Sequence, residues 1–187
     1  CSIIAEICKA SGARTVTKGK SMVSEEMYLN PALEAVGMEV VETDLGEYIV
    51  QLAGEAPSHI IAPAVHKTRE QITDLFHEHH SPLGYTDRVT QREALVNEAR
   101  SVLRERFVSA DVGITGANFL VAETGANVIV TNEGNGDLTS SLPKVHIVTA
   151  GIEKVIPSLE DLSVLLRVLA RSATGQEFSA YTSIYSG

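Results

Sequence analysis

The sequence is poor in cysteine, with only Cys1 and Cys8 among its 187 residues. Two residues seven apart on one helix do not meet the distance and direction that a disulfide requires. Both thiols are therefore expected to be reduced, which fits a cytoplasmic protein. An iron–sulfur cluster is normally held by four cysteine thiolates, so two cannot hold one. Any such cluster, or a zinc site, is expected outside this chain.

Other absences exclude whole classes of function. The net charge is −9, and phosphate contacts need clustered lysine and arginine, so binding to nucleic acid or anionic membranes is not expected. No apolar run approaches the roughly 18 residues of a membrane span, and no signal peptide is visible. A Walker A loop, a Gly-x-Gly-x-x-Gly fingerprint and a Gly-x-Ser-x-Gly elbow are also missing. P-loop, Rossmann-type and serine-hydrolase chemistry therefore has no support.

What the chain does contain is an alternation of β-branched runs and amphipathic helical segments. Its length and its 44% apolar content suit a single α/β domain over residues 1–187. Strands are predicted over 14–18, 38–43, 58–62, 127–131, 144–150 and 179–184. This alternation predicts a three-layer α/β/α fold with a mixed, mostly parallel sheet. The tight turn at 123–125 predicts an antiparallel portion within that same sheet.

The glycine-rich segments 122–125 and 131–136 place two carboxylates, Glu123 and Glu133, on neighbouring connections. Glycine allows backbone amides to approach a ligand closely. Either glutamate can serve as nucleophile or general base. The turn residues that can hold a substrate carboxylate or oxyanion are Thr124, Gly125, Gly134 and Asn135. The alternative is that both glutamates cap turns or pair with cations.

A second candidate binding element is the junction of a strand, Gly19, Lys20, Ser21 and a helix. Free amides and the helix dipole at such a junction favour an anion. The competing interpretation is a capped helix with solvated lysines.

The histidines give one catalytic candidate and one open question. His66 follows a predicted strand, at the edge where open α/β sheets bind ligands. His146 lies in an apolar strand and is expected to be a satisfied core residue. Metal binding by His77, His79 and His80 stays open, although a solvated helix end is the favoured interpretation and no metal site is predicted.

Several sequence blocks closely resemble the LUD domain of lactate-utilisation iron–sulfur proteins. The resemblance covers nearly the whole chain from Ala13 onward. Its blocks are residues 20–26, 41–49, 57–67, 116–125, 131–136, 142–148, 151–154 and 171–176.

This resemblance implies a fold similar to glucosamine-6-phosphate isomerase, ribose-5-phosphate isomerase and the CoA transferases. It also implies a subunit that acts with companion lactate-utilisation subunits in oxidising L-lactate to pyruvate. The longer form of such proteins is implied to hold two [4Fe–4S] clusters. The implied ligand is a small carboxylate such as lactate or pyruvate. In the CoA transferases a turn glutamate is the nucleophile, and Glu123 or Glu133 is expected in a comparable place.

The departures from the family pattern predict that the chain is a fragment, inactive on its own. The family's N-terminal helical region, the strand expected after Gly187 and every cluster cysteine are missing. Two alternatives remain. One is a non-catalytic module that docks subunits or senses a carboxylate or acyl-CoA; the other, by analogy of fold, is an acyl or CoA transferase.

Overall fold

The computed structural model describes residues 1–58, 62–131, 133–179 and 181–186. The helices are α1 (Ser2–Ala10), α2 (Met22–Glu26), α3 (Leu29–Glu34), α4 (Leu45–Leu52), α5 (Arg69–His80), α6 (Arg92–Ser109), α7 (Asn135–Ser141) and α8 (Leu159–Thr174). The strands are β1 (Thr15–Lys18), β2 (Glu39–Glu42), β3 (Val112–Gly116), β4 (Phe119–Val121), β5 (Ala126–Val130), β6 (Val145–Thr149), β7 (Val155–Ile156) and β8 (Thr182–Tyr185). Short 3₁₀ helices cover Ser81–Leu83 and Ile152–Lys154.

Four parallel strands form the central sheet in the order β2-β1-β3-β6. The chain passes from β1 to β2 on one side and returns to place β3 on the other side of β1. The strand order therefore reverses between β1 and β3. In open α/β sheets, ligands bind beyond the carboxyl ends of the strands at such a point.

Helices cover both faces of this sheet, which confirms the three-layer α/β/α prediction. Side chains of successive strand residues point to opposite faces. Accordingly, Val40 packs into one core with α1 and α3, whereas Val41 packs against a second core built by α4, α5 and α6. The first core includes Cys8, Leu29, Leu33, Val112 and Ile114.

The antiparallel strands lie in a second sheet, so the prediction of one mixed sheet is wrong in this detail. Its order is β7-β4-β5-β8, with β4–β5 and β5–β8 antiparallel and β4–β7 parallel. Helix α8 packs on it through Leu162, which is buried with Val121 and Val128. Leu165 and Leu166 pack there partly buried, while Leu159, also predicted as core, is 44% exposed.

The helix predicted from Ser21 to Gly37 is two helices, α2 and α3. Tyr28 separates them with a left-handed backbone, φ 52°. Pro31 explains the break, because it has no N–H to donate within a continuous helix and its ring would clash with the carbonyl four residues earlier.

The remaining predictions of secondary structure have different outcomes. The glycine-rich segment after β5 leads into α7 rather than a tight turn to the next strand. Helix α6 begins after Gln91, without the side-chain cap predicted at Thr90. The capping box at Thr68 is confirmed, because its side chain accepts from the Gln71 amide and the Gln71 side chain accepts from the Thr68 amide. The cap predicted at Ser158 is confirmed as well, since its side chain accepts from the Asp161 amide. Most of the strand predicted over 58–62 lies outside the described residues, as does Asn132.

Among the described residues no helix is both long and apolar enough to cross a membrane.

Candidate functional site

A cavity of about 460 Å³ lies beyond the carboxyl ends of the parallel strands. Three of its walls are formed by the residues after β1, the end of β3 and the residues after β6. The remaining side is formed by the end of β5 and the start of α7. Its polar lining residues are Lys20, Ser21, Asp44, Thr115, Asn118, Thr131, Glu133, Asn135, Thr149 and Lys154. The cavity therefore occupies the location that the sheet topology favours for a ligand.

Of the predicted anion-binding residues, Lys20, Ser21 and Asn135 line this cavity. Gly134 lies next to it in the chain, with φ 72° as the N-cap of α7. Ser21 is already engaged, because its Oγ accepts from the Ser24 amide at 3.3 Å and lies 3.1 Å from Thr149 Oγ1. Since α2 has only five residues, its dipole is small, and Lys20 and Lys154 supply the positive charge.

Glu133 is the predicted catalytic residue that the structure places in the cavity. The loss of hydration there raises the pKa of Glu133 above its ordinary value, although the side chain keeps contact with solvent. Asp44 adds to this rise in pKa and Lys20 opposes it. Asp44 itself caps α4, accepting from the Gly46 amide at 3.0 Å. The catalytic role of Glu133 stays a prediction, supported by its place in the cavity wall and by the direction of its pKa.

Glu123 lies at the opposite end of β5 and does not line the cavity. Its Oε2 accepts a hydrogen bond from the Leu159 amide at 3.1 Å, in the first turn of α8. Thr124 and Gly125 share this location, in the hairpin between β4 and β5, where Thr124 Oγ1 accepts from the Ala126 amide at 3.3 Å. The structure therefore does not bring the two glutamates together, and Glu123 stabilises a helix terminus.

Replacing Glu123 with Ala is expected to lower the free energy of unfolding by about 0.5–1 kcal/mol, because α8 loses an acceptor and a negative charge at its N-terminus. Urea denaturation at neutral pH measures this loss. Glu105→Ala, at an exposed position within α6, is the matched control and should change the free energy little. Equal stability of the two variants would show that the Glu123 contact contributes nothing.

His66 lies apart from the cavity, on the segment before α5. Its Nε2 is 2.7 Å from Glu55 Oε2 and its Nδ1 is 2.9 Å from Ser58 Oγ. Lys67 pairs with the same Glu55. The strand that was expected to present His66 falls largely on residues that the structure does not describe, so the catalytic role of His66 stays a prediction.

The three histidines at the end of α5 are not grouped for metal binding. Within the described ranges, no cluster of three or more His, Cys, Asp or Glu side chains is suited to a metal ion. His80 is fully buried instead, with Nε2 2.9 Å from the Tyr48 hydroxyl and Nδ1 2.8 Å from Glu98 Oε1. The half-buried His146 has its Nε2 2.7 Å from Thr115 Oγ1, and burial lowers its pKa.

The sequence interpretation missed several residues of the cavity: Asp44, Thr115, Asn118, Thr149, Gly151 and Lys154. All but Lys154 lie within two residues of the carboxyl end of a parallel strand. The sequence interpretation applied the rule that ligands bind at strand carboxyl ends only at His66. Applied to every strand, the same rule predicts these positions.

The chain's own residues do not fit an iron–sulfur cluster. Both cysteines are free; Cys1 is exposed, whereas Cys8 is buried in the core, where burial raises the pKa of its thiol. A cluster needs four thiolates converging on one site. No reaction step is therefore assigned to a cluster within this chain.

Comparison with known proteins gives a consistent result. The family model for the LUD domain matches residues 1–187. "Lactate utilization protein B" of Bacillus pumilus is 49% identical over 182 residues, which is 97% of this chain and 38% of that protein. The protein of the same name from Lysinibacillus sphaericus is 48% identical over 185 residues, covering 98% of this chain and 38% of that protein.

A third relative, from Geobacillus kaustophilus, bears the same name and is 49% identical over 176 residues, 94% of this chain and 36% of its own length. The chain therefore spans well under half the length of these curated relatives. No solved structure matches it. The family match extends over every residue of the sequence, and the chain belongs to the LUD domain family.

Proposed function

We propose that this chain supplies a small-carboxylate site to a lactate-utilisation protein that oxidises L-lactate to pyruvate with companion subunits. The relatives' shared name supports the lactate connection. The observation that carries the proposal is the cavity at the strand carboxyl ends, where two lysines lie beside a carboxyl group of raised pKa. Oxidation of L-lactate removes two electrons and two protons, one proton from the hydroxyl and one from C2, and iron–sulfur clusters located outside this chain would carry the electrons.

The cavity suits a 2-hydroxy carboxylate in both charge and proton chemistry. Lys20 and Lys154 can bind the ligand's carboxylate through charge-assisted hydrogen bonds. Glu133 can accept the hydroxyl proton, because a pKa raised toward neutral pH makes a carboxylate a better general base. Asn118 and Asn135 border the same space; Asn118 is held by the Val130 amide, which donates to its Oδ1 at 2.8 Å. The polar lining thus offers recognition and proton transfer together.

Replacing Glu133 with Gln in the intact lactate-oxidising complex is expected to lower kcat about 100-fold or more, since general-base catalysis contributes about that much. KM should change little, because the neutral amide keeps the shape of the side chain. Steady-state oxidation of L-lactate measures both constants. Glu123→Gln is the matched control: the same chemical change at the other end of β5 should leave turnover unaltered.

Replacing Lys20 or Lys154 with Met should raise KM instead, by about tenfold each, because each removes a charged partner of the substrate carboxylate. If Glu133→Gln left lactate oxidation as unchanged as the Glu123→Gln control, the catalytic assignment would be wrong. Another combination of results would identify a carboxylate-sensing module instead. Calorimetry would show that lactate or pyruvate binds and that the lysine variants weaken this binding, while Glu133→Gln would leave turnover unaltered.

A further inference from the structure

A second cavity, of about 480 Å³, lies between α4, α5 and α6, and no function described above uses it. This volume is within the range of small-molecule sites. Its apolar lining residues are Leu45, Ile49, Ile72, Phe76, Leu95 and Val96. Phe76 and Leu95 are buried members of the second core, whereas Val96 is 45% exposed. The cavity therefore leads from the surface of the protein to its hydrophobic core, and an apolar group placed there is removed from water.

Two arginines, Arg69 and Arg92, complete the lining, which contains no acidic side chain among the described residues. Both arginines are exposed. In the described part of the chain neither guanidinium forms an ion pair with a carboxylate, although the sequence has 24 acidic residues. Arg88, by contrast, pairs with Asp74. Since a guanidinium group binds a carboxylate through two parallel hydrogen bonds, the lining indicates a ligand with an anionic end and an apolar body.

Three helices begin at this cavity, since Leu45, Arg69 and Arg92 are the first residues of α4, α5 and α6. The N-terminus of a helix carries partial positive charge, so an anion is favoured there and a cation is disfavoured. Asp44 and Thr68 cap α4 and α5, but α6, with 18 residues, has no side-chain cap. An anion beside Arg92 would accept from the first amides of α6 and would offset the unfavourable position of the arginine.

We propose that this cavity binds a medium-chain fatty acid. Its carboxylate pairs with Arg92 and Arg69 beside the start of α6, and its alkyl chain lies along the apolar lining toward Phe76. A small carboxylate such as lactate has no apolar chain to bury here, and a neutral hydrocarbon leaves both guanidinium groups unpaired. This site is separate from the carboxylate cavity at the strand carboxyl ends and does not depend on the function proposed for it.

Isothermal titration of the intact polypeptide with octanoate at neutral pH tests the proposal. We expect one saturable site. Hexanoate, which is shorter by two methylene groups, should bind about tenfold more weakly, because each buried methylene contributes to the affinity. 1-Octanol has the same chain length and no charge, so it should also bind about tenfold more weakly or less, because both arginines then lack a charged partner.

Variants at exposed positions locate the site. Arg69→Met and Arg92→Met each remove one charged partner of the carboxylate and should lower the affinity about tenfold. Arg100→Met makes the same change on the exposed surface of α6, outside the cavity lining, and is the matched control with unaltered affinity. Val96→Glu places a negative charge in the apolar lining and should lower the affinity about tenfold or more. Circular dichroism checks that each variant is folded.

Several results would overturn the proposal. One is the absence of saturable octanoate binding. Others are equal binding of hexanoate, which would mean that the alkyl chain is not buried, and an equal loss of affinity in Arg100→Met, which would indicate a diffuse effect of charge. If octanoate does not bind and sedimentation shows a dimer that Val96→Glu dissociates, the cavity is a contact with a second copy of this chain. An acidic helical peptide that binds where octanoate does not would assign the cavity to a partner protein instead.

Discussion

Replacing Lys18 with Met is expected to lower the free energy of unfolding by about 3–5 kcal/mol. Lys18 is 1% exposed, and its Nζ lies 2.9 Å from Glu42 Oε1 and 3.3 Å from Ser24 Oγ. Without this ammonium, Glu42 is a buried charge with no counterion. A small domain has a total stability of only about 5–15 kcal/mol, so the variant should lose a large share of its stability at neutral pH.

The loss should be smaller in acid. Burial raises the pKa of Glu42, and the charge of Lys18 opposes this rise, so the pKa of Glu42 is higher still in the Lys18→Met variant. A folded-state pKa above the unfolded value means that the native state holds the proton more tightly. The penalty for the unpaired charge is therefore complete above the folded-state pKa, decreases as pH falls below it, and is gone below the unfolded-state pKa. Urea denaturation at about pH 5 and at about pH 8 compares the two conditions, with the unperturbed carboxyl pKa near 4.3 as reference.

The double variant Lys18→Met, Glu42→Leu distinguishes the contribution of the ion pair to stability from the contribution of side-chain packing. A buried ion pair can be replaced by apolar side chains at little cost, whereas removal of one partner is expensive. The double variant should therefore recover most of the stability that Lys18→Met loses. A double variant as unstable as the single one would show that Lys18 acts through its contact with Ser24 or through its volume. In that case the charge of Glu42 would not explain the effect.

Local patterns in the sequence predicted most of the secondary structure correctly. β-Branched runs located β1, β2, β5 and β6, because strand formation there agrees with burial of the same side chains. The division into two sheets was not predictable in the same way, because strand pairing joins residues distant in the chain. β7 has only two residues, which is too short for any periodic pattern.

The candidate site shows where the pattern argument failed and where it had enough information. A five-residue strand, β5, separates Glu123 from Glu133, and extended chain advances about 3.3 Å per residue. The sequence alone was therefore sufficient to place the two carboxylates at opposite ends of a strand, although they were interpreted as a pair on neighbouring connections. The burial of Lys18 is different, since nothing in its neighbourhood distinguishes it from the solvated lysines considered for that junction. Its partner Glu42 lies on another strand, and only the parallel pairing of β1 with β2 brings them together.

The superfamily likeness to the isomerases and CoA transferases stays a prediction. The three-layer architecture agrees with it, but an α/β/α fold hosts many unrelated activities. A trapping experiment addresses it directly. If Glu123 or Glu133 formed a thioester with acyl-CoA, hydroxylamine would convert that residue to a stable hydroxamate. If no hydroxamate formed at either residue, the transferase analogy would be removed.

Gly113→Ala is expected to destabilise the protein by about 3 kcal/mol or more, because overpacking a buried position costs about 1–3 kcal/mol and a clash with backbone belongs at the upper end of that range or above it. Gly113 lies within β3, where α7 crosses the sheet. A Cβ atom there would be 1.9 Å from the carbonyl oxygen of Thr139 and 3.1 Å from Pro143 Cγ. The closest obstacle is backbone, so no rotation of a side chain relieves the clash, and α7 must move away from the sheet.

This movement should also impair the carboxylate cavity, since α7 begins with Asn135 and Gly136 in the cavity wall. Gly19→Ala is the matched control: its added Cβ would meet Thr115 Cγ2 at an ordinary 3.6 Å, and its backbone needs no left-handed conformation. Reducing the freedom of the unfolded chain stabilises a compatible Gly→Ala variant by only about 0.4–1 kcal/mol, too little to offset the clash at Gly113. Urea denaturation should therefore place Gly113→Ala well below the wild type and Gly19→Ala close to it. Equal stability of the two variants would mean that α7 is not held against β3, and the location of Asn135 in the cavity would then have to be rejected as well.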